Sequence, residues 1–412
     1  MKTAMQTKSM DICVLGGAGH IGLPLSILLA HKGLETLVYD LNEKTIATIR
    51  SGAMPFLEEH AEPLLHEVLE KKKLHFTTNA KDLAKIPIIV ITIGTPVDEF
   101  LNPSTKLMTE CIESLLPILS DEQTLILRST VCPGTTEWLD EYLKSRGKKV
   151  KIAFCPERVV QGNAIDQIRT LPQIVSGTSP EAEQTAADLF ALLAPEIVRM
   201  LPREAEFAKL FCNAYRYIQF AATNQFYMLA TRAGLDYSRI YAGITQNYER
   251  MKDFPRQGFA AGPCLFKDTM QLSSYSNNQF SIGMDAMMVN EGLPLFLVEQ
   301  IASGFALDKS TVGLLGMAFK ANSDDTRSSL SYKLKKSLRL RASRVLTTDP
   351  HVTTDPELVP VEQVVQESDI LILCVPHRAY RSLDLGGKPV IDVWNFFDRG
   401  TAMPSQRGQS TR

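Results

Sequence analysis

The chain has seven cysteines, Cys13, Cys111, Cys132, Cys155, Cys212, Cys264 and Cys374, and no two are spaced as CxxC. A scattered, odd-numbered set argues against a disulfide framework or a structural zinc site and fits a reducing, cytoplasmic compartment. An excess of one charge is also missing, since 44 Lys and Arg against 46 Asp and Glu leave a net charge of −2. That balance argues against a broad nucleic-acid footprint and a polybasic membrane anchor. No stretch reaches the ~18 uninterrupted apolar residues of a membrane span. The nearest approach, MDICVLGGAGHIGLPLSILLA at 10–30, is interrupted by Asp11 and His20. Its small residues group in a glycine turn rather than at a cleavage site. With only 24 Gly and 22 Pro in 412 residues, the chain is neither fibrous nor low in complexity. What remains is a globular protein too long for one ordinary domain.

The first half alternates short apolar runs with helical patterns. DICVLGG, TLVYD, IPIIVITIG, QTLILRST, KIAFCPE and QIVSG read as strands, with LPLSILLAHKG and EPLLHEVLEKKK as helices between them. Continuous apolar strands alternating with helices predict a parallel sheet covered on both faces. Residues 204–250 hold no proline, and Phe207, Leu210, Phe211, Ala214, Tyr217, Ile218 and Ala221 recur at helical spacing, predicting a long helix that runs to Gly234. From about 310 the strand–helix rhythm returns with STVGLLGMAF, SYKLKKSLRLR, RVLTTDP, SDILILCVP and PVIDVW. This echoes the opening unit, ending again on an acid, Asp349, but without the full set of glycines. The tail TAMPSQRGQSTR is polar and expected to be disordered.

Gly17, Gly19 and Gly22 form GxGxxG between a strand and a helix. Glycine serves there for a tight turn, for close approach to a pyrophosphate and for helix–strand packing. The helix N-terminus adds free N–H groups and partial positive charge. Asp40 ends the next strand, 18 residues after Gly22, where a carboxylate meets an adenosine ribose and repels a 2′-phosphate. A glycine-rich turn alone is weak; strand, helix and acid together predict NAD. The expected fold is α/β, with two Rossmann-like parallel-sheet domains joined by a long central helix. The expected domains are 1–203 for NAD, 204–300 helical, for dimerisation and catalysis, and 301–412.

Cys264 lies in GFAAGPCLFKD, where small residues precede the thiol and Lys267 and Asp268 follow it. A polar, partly cationic loop can activate a thiol as a nucleophile, although an isolated cysteine is more often a small core hydrophobe. Lys209 and Asn213 lie one turn apart on the predicted long helix, with Glu206 three residues before Lys209. Polar groups on so apolar a helix need partners. Glu157 follows a strand end and can line a crevice at the carboxyl edge of the sheet.

GGAGHIG, IGTPVD, RSTVCPGTTE, CPERVVQG, EAEFAKLFCNAYR, GPCLFKD and GMAFKANSDDTRSS occur in the order seen in UDP-glucose/GDP-mannose dehydrogenases. The chain resembles that family from about residue 10 to 398. The resemblance implies NAD-dependent oxidation of a nucleotide-sugar C6 hydroxyl to a carboxylate, through a thiohemiacetal and a thioester on cysteine. By the same resemblance Cys264 is similar to the nucleophile, Lys209 to a lysine that stabilises the oxyanion, and Asn213 to its helix partner. Asp268 resembles a proton-handling acid that works with a water held by a threonine like Thr130, and Glu157 resembles a glutamate of thioester hydrolysis. Lys267, Arg327 and Thr95 resemble residues around the cofactor. Lys320 resembles a substrate-contacting lysine, and Arg250 an arginine lent by a neighbouring subunit. A homodimer is implied, and the C-terminal echo is similar to a UDP-binding domain.

The chain departs from the family at the cysteine loop, where Ala261, Gly262 and Pro263 stand in a region that usually carries more glycine. It also departs at EEHAEPLL and at Asn224–Gln225. CPERVVQG, with Arg158 in place of an apolar residue, resembles the branch acting on UDP-N-acetylmannosamine or UDP-N-acetylglucosamine, with UDP-glucose second. Two other readings stay open: a non-catalytic NAD or nucleotide-sugar binder, and a simpler hydroxyacid dehydrogenase using Lys209 and Asn213 with Cys264 structural. No metal is expected.

Overall fold

The computed structural model describes residues 9–95, 97–98, 106–260, 262–401 and 403. Ala261 and nearly all of the polar tail lie outside the described residues. The chain divides into two compact units, Met1–Cys212 and Asn213–Arg412.

The first unit is built on β1 (Ile12–Leu15), β2 (Thr36–Tyr39), β3 (Leu74–Thr77), β4 (Ile88–Ile91), β5 (Thr124–Leu127), β6 (Lys151–Phe154), β7 (Gln173–Gly177) and β8 (Ile197–Arg199). They form one sheet in the order β3-β2-β1-β4-β5-β6-β7-β8. Strand β1 pairs in parallel with both β2 and β4, so Cys13 faces Leu37 on one side and Ile89 on the other. The connections run outward in opposite directions from β1, which opens a crevice at the carboxyl ends of β1 and β4. Side chains of β1 alternate between two cores, Ile12 and Val14 in one, Cys13 and Leu15 in the other. That is the period of two expected of a strand buried on both faces. The apolar run at 10–30 is therefore β1, a glycine turn and the helix Gly22–His31, which is buried from Gly22 to Ala30.

Two features depart from the sequence reading. Strands β3 and β8 were not anticipated; β3 is largely half-buried and β8 is three residues long and partly exposed, as suits sheet edges. Strands β6 and β7 pair antiparallel, so the outer pair β7–β8 runs against the otherwise parallel sheet.

The long helix is Pro202–Arg232, with proline at its first position. Two residues past its end, Gly234 takes φ +71°, the left-handed conformation that glycine tolerates best. The helices Leu265–Tyr275 and Ser281–Gly304 follow in the second unit. Its sheet comprises β9 (Thr311–Leu315), β10 (Arg344–Thr348), β11 (Ile370–Leu373) and β12 (Val390–Ile391), all parallel, in the order β10-β9-β11-β12. Tyr227, Tyr237 and Phe296 pack in one core with Val312, Leu314, Ile370 and Ile372. Among the described residues, no helix is long and apolar enough to cross a membrane.

Candidate active site

In the first unit, Gly16 takes φ +77° and makes the turn after β1. A Cβ on Gly17 would lie 2.5 Å from the Val14 carbonyl oxygen, and one on Gly22 would lie 2.5 Å from that of Gly16. These two glycines are needed by the protein's own packing. Gly19 is different, since its Cβ would meet only the Gly16 oxygen at 3.4 Å, and space is left for a ligand to approach the backbone. Asp40 accepts hydrogen bonds from the Ala18 N–H through Oδ2 (3.2 Å) and the Asn42 N–H through Oδ1 (3.0 Å). Its carboxylate is thus fixed beside the glycine loop. This cradle fits a dinucleotide: donors and a helix N-terminus for the pyrophosphate, an acid for the ribose. Close by in the fold, Thr95 donates from Oγ1 to the Thr130 carbonyl at 2.6 Å, tying the segments after β4 and β5 together.

Glu157 is 7% exposed and is gripped from several sides. Arg128, buried at the end of β5, donates from Nη2 to its Oε2. The N–H groups of Arg158 and Val159 donate to its Oε1 at 2.8 and 3.0 Å. Arg128 also donates from Nη1 to the Cys155 carbonyl and to Gln173 Oε1, and its guanidinium lies 4.8 Å over the Phe190 ring. Arg158 donates to the Pro172 carbonyl. Sequence reasoning missed Arg128, although the RST run after an apolar strand was its signal. The same loop is held further along. Glu58 accepts from the Gly162 and Ala164 N–H groups, and Gln161 Nε2 lies 3.1 Å from Nδ1 of His20, inside the glycine fingerprint.

Lys209 and Asn213, each 8% exposed, sit one turn apart on the helix Pro202–Arg232. Glu206, fully buried, accepts from the N–H groups of Gly134 and Thr136 and from the Thr136 hydroxyl. It caps the helix Thr135–Ser145 rather than serving a ligand. Burial pushes its carboxyl above the ordinary range, against those hydrogen bonds.

In the second unit, Cys264 is exposed and occupies the N-cap of the helix Leu265–Tyr275. A helix N-terminus carries partial positive charge. Lys267 Nζ lies 3.3 Å from Oδ1 of Asp268, which is fully buried, and Asn213 Nδ2 donates to Asp268 Oδ2 at 2.6 Å. Arg327 is held above its ordinary range first by hydrogen bonds to Asp325, with burial opposing, and further by attraction to Cys264. The fold therefore groups Cys264 with Arg327, and Asp268 with Asn213 and Lys267. Lys320 lies in the turns after β9, and Arg250 is exposed on the short helix Glu249–Met251. Cys212 is exposed as well, on the long helix, whereas four other thiols are of another kind. Burial pushes Cys13 and Cys374 far up, Cys155 to about 12 and Cys111 to about 11.

The C-terminal echo is real in the backbone. Asp349 follows β10 and accepts from the Met317 and Ala318 N–H groups after β9, at 2.6 and 2.9 Å, as Asp40 does from Ala18. Here, however, the acid is sealed: the side chains of Asp349 and its partner His377 have no exposed surface, with Nε2 and Oδ2 3.0 Å apart.

A glycine turn with a ribose acid in one unit, and an exposed cysteine at a helix N-terminus in the other, are features of a dinucleotide-linked oxidoreductase. Comparison with known proteins narrows this class. Residues 10–194 match the UDP-glucose/GDP-mannose dehydrogenase family's NAD binding domain, 203–291 its central domain and 313–399 its UDP binding domain. The chain belongs to that family. UDP-N-acetyl-D-mannosamine dehydrogenase of Pyrococcus horikoshii is 28% identical over 390 residues, covering 91% of each chain. The solved structure of the P. horikoshii UDP-D-ManNAc dehydrogenase superposes with a TM-score of 0.87 over 97% of each chain. An NDP-N-acetyl-D-galactosaminuronic acid dehydrogenase of Ralstonia nicotianae is 24% identical over 92% of this chain and 94% of its own.

Proposed function

We propose that this protein oxidises the C6 hydroxyl of a UDP-N-acetylhexosamine, UDP-N-acetylmannosamine first, to the uronate in two steps through Cys264. The observation that carries the reading is the exposed Cys264 at a helix N-terminus, close enough to Arg327 for attraction, four residues before the buried Asp268. The sugar assignment is supported by the CPERVVQG loop and by relatives named UDP-N-acetyl-D-mannosamine dehydrogenases. UDP-glucose is the second candidate.

NAD, for which Gly17, Gly19, Gly22, Asp40, Thr95, Lys267 and Arg327 are the candidate binding residues, supplies the hydride acceptor for both oxidations. In the first, the alcohol loses its hydroxyl proton and a hydride from C6 and becomes an aldehyde. Lys209 stabilises the oxygen as charge develops, with Asn213 beside it. The Cys264 thiolate then adds to the carbonyl, giving a thiohemiacetal that keeps the aldehyde from escaping. Loss of a second hydride and a proton leaves a thioester. Water adds to that carbonyl and expels the thiolate, Glu157 taking the proton with Arg128 holding it in place. Asp268 and a water ordered by Thr130 carry protons through these steps. In all, one alcohol and one water give one carboxylate, two hydrides and three protons. Arg158, Lys320 and Arg250 are the further candidate substrate contacts, Arg250 from a neighbouring subunit.

We further propose a homodimer, supported by the large apolar side chains that the long helix exposes, among them Phe211 and Tyr215 at 57% and 63%. A cytoplasmic location is supported by the scattered, odd-numbered set of seven cysteines.

The test is NADH release at 340 nm on UDP-N-acetylmannosamine, UDP-N-acetylglucosamine, UDP-glucose and GDP-mannose, counted per sugar consumed. Two NADH from a UDP-N-acetylhexosamine are expected. One NADH would instead support the simpler dehydrogenase, and no turnover with retained NAD and UDP-sugar binding would support a non-catalytic binder.

A further inference from the structure

The segment leading to Cys264 is seated by side chains that no reading of the chemistry requires. Asn224, fully buried on the long helix, uses its whole amide. Its Oδ1 accepts from the Gly258 N–H at 2.9 Å, and its Nδ2 donates to the Gly258 carbonyl at 3.0 Å and to Asn290 Oδ1 at 2.9 Å. Asn290, also fully buried, is anchored in turn by donating from Nδ2 to the Tyr217 carbonyl at 3.0 Å. On its other side Gly258 abuts Trp394, where any Cβ would lie 2.3 Å from the ring, and its φ of +143° suits only glycine. Trp394 is itself fixed by donating from Nε1 to the Cys374 carbonyl. One residue earlier, buried Gln257 donates from Nε2 to the Val393 carbonyl at 2.6 Å. Nearer the thiol, the Gly262 N–H donates to the Ser328 carbonyl at 3.3 Å. A peptide paired on both its polar atoms by a buried amide, and blocked behind by an indole, has little freedom to shift.

We propose that Asn224 is a positioning residue for Cys264: by pairing with Gly258 it fixes the backbone from which the thiol is presented to the substrate aldehyde. The inference rests on reading Cys264 as the nucleophile. Covalent capture depends steeply on approach, and a misplacement of about 1 Å can cost roughly 100-fold. The first hydride loss needs no bond to sulfur, so a displaced thiol slows the second oxidation and spares the first. A role in stability alone would lower both steps together through loss of folded protein.

The experiment compares the unsubstituted protein with Asn224→Ala and Gln257→Met, with folded content checked by circular dichroism. Each is given UDP-N-acetylmannosamine, with hydroxylamine present to trap free aldehyde. The expected result is NADH per sugar falling from two towards one in Asn224→Ala, with oxime recovered and the first oxidation within threefold of the unsubstituted rate. Gln257→Met should shift in the same direction by less. Two NADH and no oxime from folded Asn224→Ala would overturn the inference. If that variant does not fold, an unshifted Gln257→Met overturns it. One NADH from the unsubstituted protein would sink the underlying reading, which is a separate outcome.

Discussion

Asp40 is placed by two backbone amides, so its removal changes charge beside the glycine loop without removing any glycine. Asp40→Ala should raise the KM for NAD about tenfold and shrink the preference over NADP, since the ribose loses its acceptor and the 2′-phosphate its repulsion. Initial rates with both cofactors measure this, and an unchanged preference would contradict the assignment. Cys264→Ser should abolish uronate formation while leaving NAD binding intact, as read by product chromatography and fluorescence titration. Glu157 and Arg128 form a buried pair, and in such pairs the cost depends on what is left behind. Glu157→Ala leaves Arg128 buried without its carboxylate and should cost about 3–5 kcal/mol in denaturant unfolding. Replacing both by apolar residues should cost much less.

The glycine turn shows how two like residues in one element differ. Gly22→Ala would drive a Cβ to 2.5–2.6 Å from the backbone of Gly16 and Gly17, a clash that cannot relax cheaply. It should destabilise the chain by about 1–3 kcal/mol. Gly19→Ala meets nothing so close, so melting should be nearly unchanged while NAD affinity falls, and calorimetry separates the two effects. The glycines, Asp40 and the apolar strands were legible in sequence because each states its requirement locally, through spacing or period. Strands β3 and β8 were not: at a sheet edge half the side chains face water and the pattern fades. The antiparallel turn of β7 depends on pairing across distance, which the run QIVSG does not encode. Arg128 escaped, as did the partners of Glu206 and Asn224, for a related reason. The paired residues Glu157, Thr136 and Gly258 are 29, 70 and 34 residues away, so the polar residues are visible and the bonds are not.

At the scale of the whole molecule, the two sheets respond differently to acid and to cofactor. Burial would raise the Asp349 carboxyl, but the hydrogen bond from His377 and the amides of Ala318 and His351 outweigh it and hold it at about 2. A carboxyl depressed by folding stabilises the fold above its unfolded pKa and loses that contribution as pH falls towards the folded value. Roughly 2 kcal/mol should therefore vanish between about pH 4 and pH 2, and Asp349→Asn should flatten that limb of the acid unfolding curve. The same sealed carboxylate bears on ligand counting. The turn that holds an acid against backbone amides occurs twice, yet the Asp349 copy has no exposed carboxylate to offer a ribose. Calorimetric titration should saturate at one NAD per chain, and the duplicate is left able to take a nucleotide only in some other posture.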